Sequence, residues 1–143
     1  MPEANAHLLK RWFEEVWNQS REAAIDELAA PNMVAHGLLD ASGQPIDRID
    51  KFKVFWRQFR DAFPDMHIEV NEALTDGDKQ VVRCTVRATH TGGGLGFAAT
   101  NKPITFTGTV IARIQDGRLV EAWDNWDFHG LYQQLGVTPA AAV

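Results

Sequence analysis

At 143 residues, with 45% apolar and 23% charged side chains, the chain has the size and composition of one soluble globular domain, which excludes a disordered tail, a collagen-like fibre and a low-complexity array. A formal net charge of -5, from 14 Lys and Arg against 19 Asp and Glu, argues against nucleic acid as a partner, because phosphate binding needs a basic patch. The lone Cys84 cannot close an internal disulfide, no apolar run approaches the roughly 20 residues of a membrane span, and the charged N-terminus MPEANAHLLKRWFEEV lacks a signal-peptide core, so the expectation is a cytoplasmic domain over 1–143 with no membrane partner.

Residues 4–18 place Leu8, Leu9, Trp12, Phe13, Val16 and Trp17 at the spacing of a helix with one apolar face. Ser20 is a cap for a second helix over 21–29, which Pro31 stops. Asn32 to Leu39, holding His36, reads as a short irregular or extended piece, and Asp40–Pro45 as a loop. The third helix is expected over 46–63, ending before Pro64. Its basic residues Arg48, Lys51, Lys53, Arg57 and Arg60 interleave with Phe52, Phe55, Trp56 and Phe59, the pattern of a wet face and a core face.

After Pro64 the period falls to two. A strand over 66–74, a turn at Asp76-Gly77-Asp78 and a strand over 80–90 form a hairpin. The second strand splits cleanly into Val82, Cys84, Val86 and Ala88 on one face and Arg83, Thr85, Arg87 and Thr89 on the other. A Gly-rich loop follows, whose residues Gly92–Thr100 suggest a mobile lid because Leu95 and Phe97 are apolar. Strands over 104–114 and 118–127 make a second hairpin, and 128–135 a closing helix with Gly136 as its stop; the tail TPAAAV is expected to fray. Three helices and then a four-stranded antiparallel meander define an α+β class, with helices packed on a curved sheet that encloses a pocket.

Several chemistries are missing. Ser20 and Ser42 sit in no G-x-S-x-G elbow, and Gly92–Gly96 has neither phosphate-loop spacing nor a following helix. His7, His36, His67, His90 and His129 are dispersed, with no H-E-x-x-H helix, so no metal is expected. What stands out is EAWDNWD at 121–127. On a strand Glu121, Trp123, Asn125 and Asp127 share one face, and Ala122, Asp124 and Trp126 the other. A carboxyl beside an indole in a dry pocket has its charged form disfavoured and enters the range of general acid–base work. The plainer reading is that these acids cap the last helix or decorate a wet face.

The order of elements and three segments (AFPDMHIEV at 62–70, the stretch from VVRCTVRATHTGGGLGF to EAWDNWD at 81–127, and GLYQQLG at 130–136) resemble the SnoaL-like polyketide cyclases of the nuclear-transport-factor-2-like superfamily. The resemblance implies a cone-shaped α+β roll around an apolar pocket, and cofactor-free intramolecular aldol cyclisation of a polyketide. In that family one aspartate near the end of a late strand carries the proton. Asp124 is the preferred match here; Asp127 is the alternative, or else closes the mouth or caps the last helix. The same resemblance implies polar roles for His36 and Asn32, and a place at the rim for His90. A first-helix tyrosine, the oxyanion donor of ketosteroid isomerases, is missing, since the one tyrosine is Tyr132; no pair of acids brackets Arg83 or Arg87 as the Asp–Arg–Asp relay of epoxide hydrolases requires.

A methylene between carbonyls is already acidic, so such an enzyme needs only to fold its substrate and move one proton. Asp124, Asp127 and His36 are therefore the candidate catalytic residues. Trp12, Asn32, Phe55, Trp56, His90, Trp123 and Trp126 are candidates for substrate contact. A ligand-binding module needs the same pocket without turnover, and an interaction domain needs a filled cavity and an apolar outer patch. The expected partners are a hydrophobic small molecule and a second copy of the chain, packed through the outer sheet face.

Overall fold

Helices come first in the chain and most of the sheet afterwards, for reasons that are local. The structure, a computed structural model, describes residues 7–40 and 42–137. The expected helix start at residues 4–6 and the expected frayed tail at 138–143 lie outside them. Helix α1 (Leu8–Arg11) runs straight into a π-helical segment (Trp12–Asn18) in which hydrogen bonds skip one residue further, as in Gln19 N to Glu14 O at 2.8 Å. All six apolar residues of the expected stripe are buried. Helix α2 (Glu22–Leu28) turns Ala24, Ile25 and Leu28 inward, and α3 (Ile49–Ala62) turns in Phe52, Phe55 and Trp56. The basic face of α3 is largely paired: Lys53 with Asp26 at 2.8 Å and Arg57 with Glu22 at 3.0 Å.

The sheet departs from the expected four-stranded meander. It has six strands, in the order β2-β1-β6-β5-β4-β3: β1 (Ala29–Leu39), β2 (Pro45–Ile46), β3 (His67–Asp76), β4 (Lys79–Thr89), β5 (Pro103–Gln115) and β6 (Arg118–Trp126). Residues 32–39, expected as a short irregular or extended piece outside the sheet, belong to an eleven-residue strand that pairs parallel with β6, so the sheet is mixed. Two irregularities in register hide that strand from a period-two reading. One lies between Ala29 and Val34, around Pro31, and the other between Ala35 and Leu39, around Gly37. Strand β2 takes Pro45 from the expected loop and Ile46 from the expected start of the third helix. The β3–β4 and β5–β6 hairpins and the closing helix α4 (Phe128–Leu135), stopped by Gly136 in the left-handed conformation, follow the sequence pattern. The α+β class holds, with the helices over one face of the sheet.

The Gly-rich loop is docked, not loose. Thr91 and Gly92 both donate to the Ala62 carbonyl at 3.1 Å, and a Cβ at Gly92 or Gly94 would collide with carbonyls of Asp61 or Gln58. Phe97 packs on His90 and Tyr132. Gly92 and Gly94 thus serve close approach to the end of α3, whereas Gly96, at φ +93° in open space, serves the turn of the backbone.

The last π-helical residue closes the edge of β3. The Asn18 side-chain amide donates to Ile68 O at 2.8 Å and accepts from Ile68 N at 2.7 Å, standing in for a further strand. Asn18→Ala leaves both groups unpaired in a part-buried setting, so it should cost about 1–3 kcal/mol in urea unfolding. A loss below about 0.5 kcal/mol, ordinary for surface changes, would contradict this role.

Candidate functional site

Strand β6 lies in the middle of the sheet, and its alternation decides what faces the helices. Ala122, Asp124 and Trp126 look inward to a cavity of about 60 Å³. Its walls include Phe13 and Trp17 of the π-helical segment and Phe52 and Phe59 of α3. Met33 and Leu38 of β1 and Phe106 of β5 close the sheet side. Asp124 is the one ionisable side chain among the described residues that line it.

One oxygen of Asp124, Oδ1, accepts from the Trp126 indole Nε1 at 3.0 Å. The residue keeps intermediate exposure because its carboxyl opens on the cavity, yet protein packs densely around it. Burial therefore dominates and pushes its pKa up to about 6, while the indole hydrogen bond and the charge of His36 pull the other way. At its back, Gly37 of β1, at φ +87°, presses on the Asp124 main-chain carbonyl, where a Cβ would collide.

Trp12 and Phe55 also line the cavity. The remaining candidates lie elsewhere. His36 pairs in register with Trp123 and shares the outer face with it. Its ring stacks on that indole at 5.5 Å, and its Nε2 lies 2.7 Å from Glu121 Oε2. Glu121 also accepts from Arg113 at 3.1 Å, and the two partners hold its carboxyl below the usual range. Asn32 is exposed beside Pro31. Asp127 caps α4, accepting from Gly130 N at 2.8 Å. Trp56 is a core tie, its Nε1 donating to Val16 O at 2.9 Å.

His90 is fully buried outside the cavity lining, against Phe63 and Phe97. Thr100 N donates to its Nδ1 at 3.1 Å, so the neutral ring carries its proton on Nε2, and burial pushes its pKa down. No residue of the 91–102 loop lines the cavity. The Cys84 thiol, on the buried face of β4, is pushed up to about 12 by burial. Among the described residues no three His, Cys, Asp or Glu side chains gather as metal ligands. Met33, Ala35 and Leu38 were not legible as lining because the strand carrying them was not.

Helices over one face of a mixed sheet, with a single carboxyl in an apolar cavity between the layers, make a ketosteroid-isomerase-like fold. The chain belongs to the SnoaL-like polyketide cyclase family, whose model matches residues 7–135. Among solved structures it is similar to IdmH of Streptomyces antibioticus, a proposed polyketide cyclase, at 28% identity and a TM-score of 0.78, covering 95% of this chain and 100% of that one. It is also similar to AclR of Streptomyces galilaeus, a proposed hydroxylase, at 26% identity and a TM-score of 0.76, covering 92% and 84%. A protein of Catenulispora acidiphila with a ketosteroid isomerase-like fold shares the fold at 13% identity and a TM-score of 0.74, covering 94% and 95%. No protein of curated function matches the sequence significantly. Among the described residues no helix is long and apolar enough to cross a membrane.

Proposed function

We propose that this domain is a polyketide-cyclase-type enzyme that performs acid–base chemistry on a hydrophobic carbonyl compound without a cofactor. The observation that carries the reading is the lone Asp124 carboxyl, raised to about 6 and opening on an aromatic cavity. In that environment it takes a proton from an activated methylene and returns one to the carbonyl oxygen as the ring closes. No other acid or base is needed, because the enolate is delocalised over the substrate itself. Trp12, Phe55 and Trp126 supply flat apolar surface for the substrate. Asp127, His36 and the buried His90 have no contact with that chemistry and are assigned structural work.

The cavity is narrow beside the ~300–1,000 Å³ of ordinary ligand pockets. A ring-sized ligand therefore enters only as the aromatic side chains change rotamer. That motion has a direct readout, since three tryptophans, Trp12, Trp17 and Trp126, line the space. A flat ketone such as 2-tetralone should quench their fluorescence saturably, and an open-chain 2,4,8-triketone, which carries a methylene between two carbonyls, should be converted to its cyclic aldol isomer. A protein that binds neither, and is not protected by them against thermal unfolding, would remove the reading; binding without conversion of any open-chain ketone would leave a ligand-binding module.

The domain acts in the cytoplasm as a homodimer packed through the outer sheet face. Directly paired residues set an apolar row across that face, Leu74–Val81–Ile111–Trp123, with Leu74 60% and Ile111 36% exposed. Ion pairs flank it, Arg83 with Glu72 and Arg113 with Glu121, which is the order of an interface core and rim. Sedimentation should give a dimer at micromolar concentration, and Ile111→Glu should give a monomer. A wild-type chain that is monomeric there would refute the interface.

A further inference from the structure

Asp124 and Trp126 stand two residues apart on β6, so their side chains leave the same face about 7 Å apart. An indole standing upright from the sheet would not reach the carboxyl. The 3.0 Å hydrogen bond between them requires the indole to lean down towards the sheet. The space it occupies is over Gly108, the residue paired with Trp126 on β5. A Cβ at position 108 would collide with the six-membered part of the indole. Phe13 and Phe106 meet the ring edge-on, at 5.9 and 6.1 Å, and hold it flat.

We infer that Trp126 is a positioning residue for Asp124, its indole N–H holding Oδ1 so that Oδ2 is left facing the cavity as the proton-carrying atom, and that Gly108 makes this posture possible. The inference rests on Asp124 being the proton carrier of the proposed reaction. Trp126 is then more than a wall of the cavity. It divides the carboxyl into a held oxygen and a working one, and stops the carboxyl from rotating between proton uptake and return. An N–H donor also favours the charged form of the carboxyl, so it opposes the effect of burial. Without it Asp124 would hold its proton more tightly and give it up more slowly to the product.

Two other titratable groups act near Asp124. His36 of β1 lies on the opposite sheet face, and its charge favours the carboxylate; the Cys84 thiol of β4 is neutral throughout the range in which the carboxyl titrates. The walls contributed by the helices carry no ionisable side chain among the described residues.

The test is a pH titration of the full chain by NMR, following the Asp124 carboxyl carbon and the indole N–H signals together. In the wild type the Trp126 indole signal should move with the Asp124 midpoint, near 6, and should stop moving in Asp124→Asn. Trp126→Phe keeps an aromatic ring but loses the donor, and should raise the Asp124 midpoint by about one pH unit, tenfold in proton affinity. Gly108→Ala should raise it similarly although both side chains remain. The shift should persist in a His36→Gln background. A wild-type indole signal indifferent to the Asp124 titration would overturn the inference even if Trp126→Phe does not fold, as would an unmoved midpoint in both variants. None of these measurements involves substrate. Failure of the proposed reaction would therefore leave the titration result intact, and failed coupling beside observed turnover would remove only the role of Trp126.

Discussion

Asp124→Asn should lower turnover by about two to four orders of magnitude while leaving the fold and ligand affinity in place. The amide matches the carboxyl in shape and still accepts from Trp126, so packing is preserved. What it loses is proton exchange, and a positioned acid–base group supplies ~10²–10⁴ in rate. The raised pKa explains the size of the effect. With a pKa of about 6, about a tenth of the carboxyl is protonated at pH 7, so both forms are available in one cycle. An ordinary aspartate would be protonated there in fewer than about one molecule in a thousand. Asp127→Asn is the control: asparagine caps a helix as well as aspartate, and activity should change little. If the Asp127 variant were the slower one, the proton carrier would be misassigned. If neither changed turnover, the carboxyl mechanism would fail.

How much of this was legible depended on whether a local rule survived the tertiary structure. The β4 alternation of buried Val82, Cys84, Val86 and Ala88 is undisturbed, so that strand reads directly from its period. The same rule places Asp124 and Trp126 on one face of β6 and His36 with Trp123 on the other, once β1 is known to pair with β6. That pairing was hidden, because Pro31 and Gly37 interrupt β1 at its two irregularities and a parallel partner lies more than 80 residues away. His36 and Asn32 could not be separated from the cavity without it, whereas the alternation of β6 alone sets Trp123 on the face opposite Asp124. The glycines of the 92–96 loop misled in the opposite direction. Composition reports backbone freedom, which Gly96 does use, whereas Gly92 and Gly94 report the closeness of the α3 carbonyls, a tertiary fact. Trp56 and His90 show the limit for large residues. Their types fit a ligand wall and a core equally well, and only the Val16 and Thr100 hydrogen bonds place them in the core.

The pH dependence of stability should separate the wild type from Asp124→Asn by a margin that opens as pH rises. A carboxyl with a folded pKa of about 6 against an unfolded value near 3.8 binds its proton more tightly in the native state. Its contribution is fully present below about pH 4 and is lost as pH rises through 6. A difference of about two units corresponds to on the order of 3 kcal/mol between these limits, since one unit is about 1.4 kcal/mol. Other groups have the opposite sign: Glu15, held below the usual range by Arg11, and Glu121, held down by His36 and Arg113, lose stability on acidification. Both are unchanged in the variant and cancel in the comparison. Urea unfolding at intervals from pH 4 to pH 8 should therefore show nearly equal stabilities at pH 4 and a variant more stable by about 2–3 kcal/mol at pH 8. The gain would be the cost of keeping an ionised carboxyl in an apolar cavity, a destabilised group retained where chemistry needs it. Parallel curves across the range would mean that Asp124 ionises as easily folded as unfolded. The acid–base reading would then lose its physical basis, because an ordinary carboxyl holds no proton to give at neutral pH.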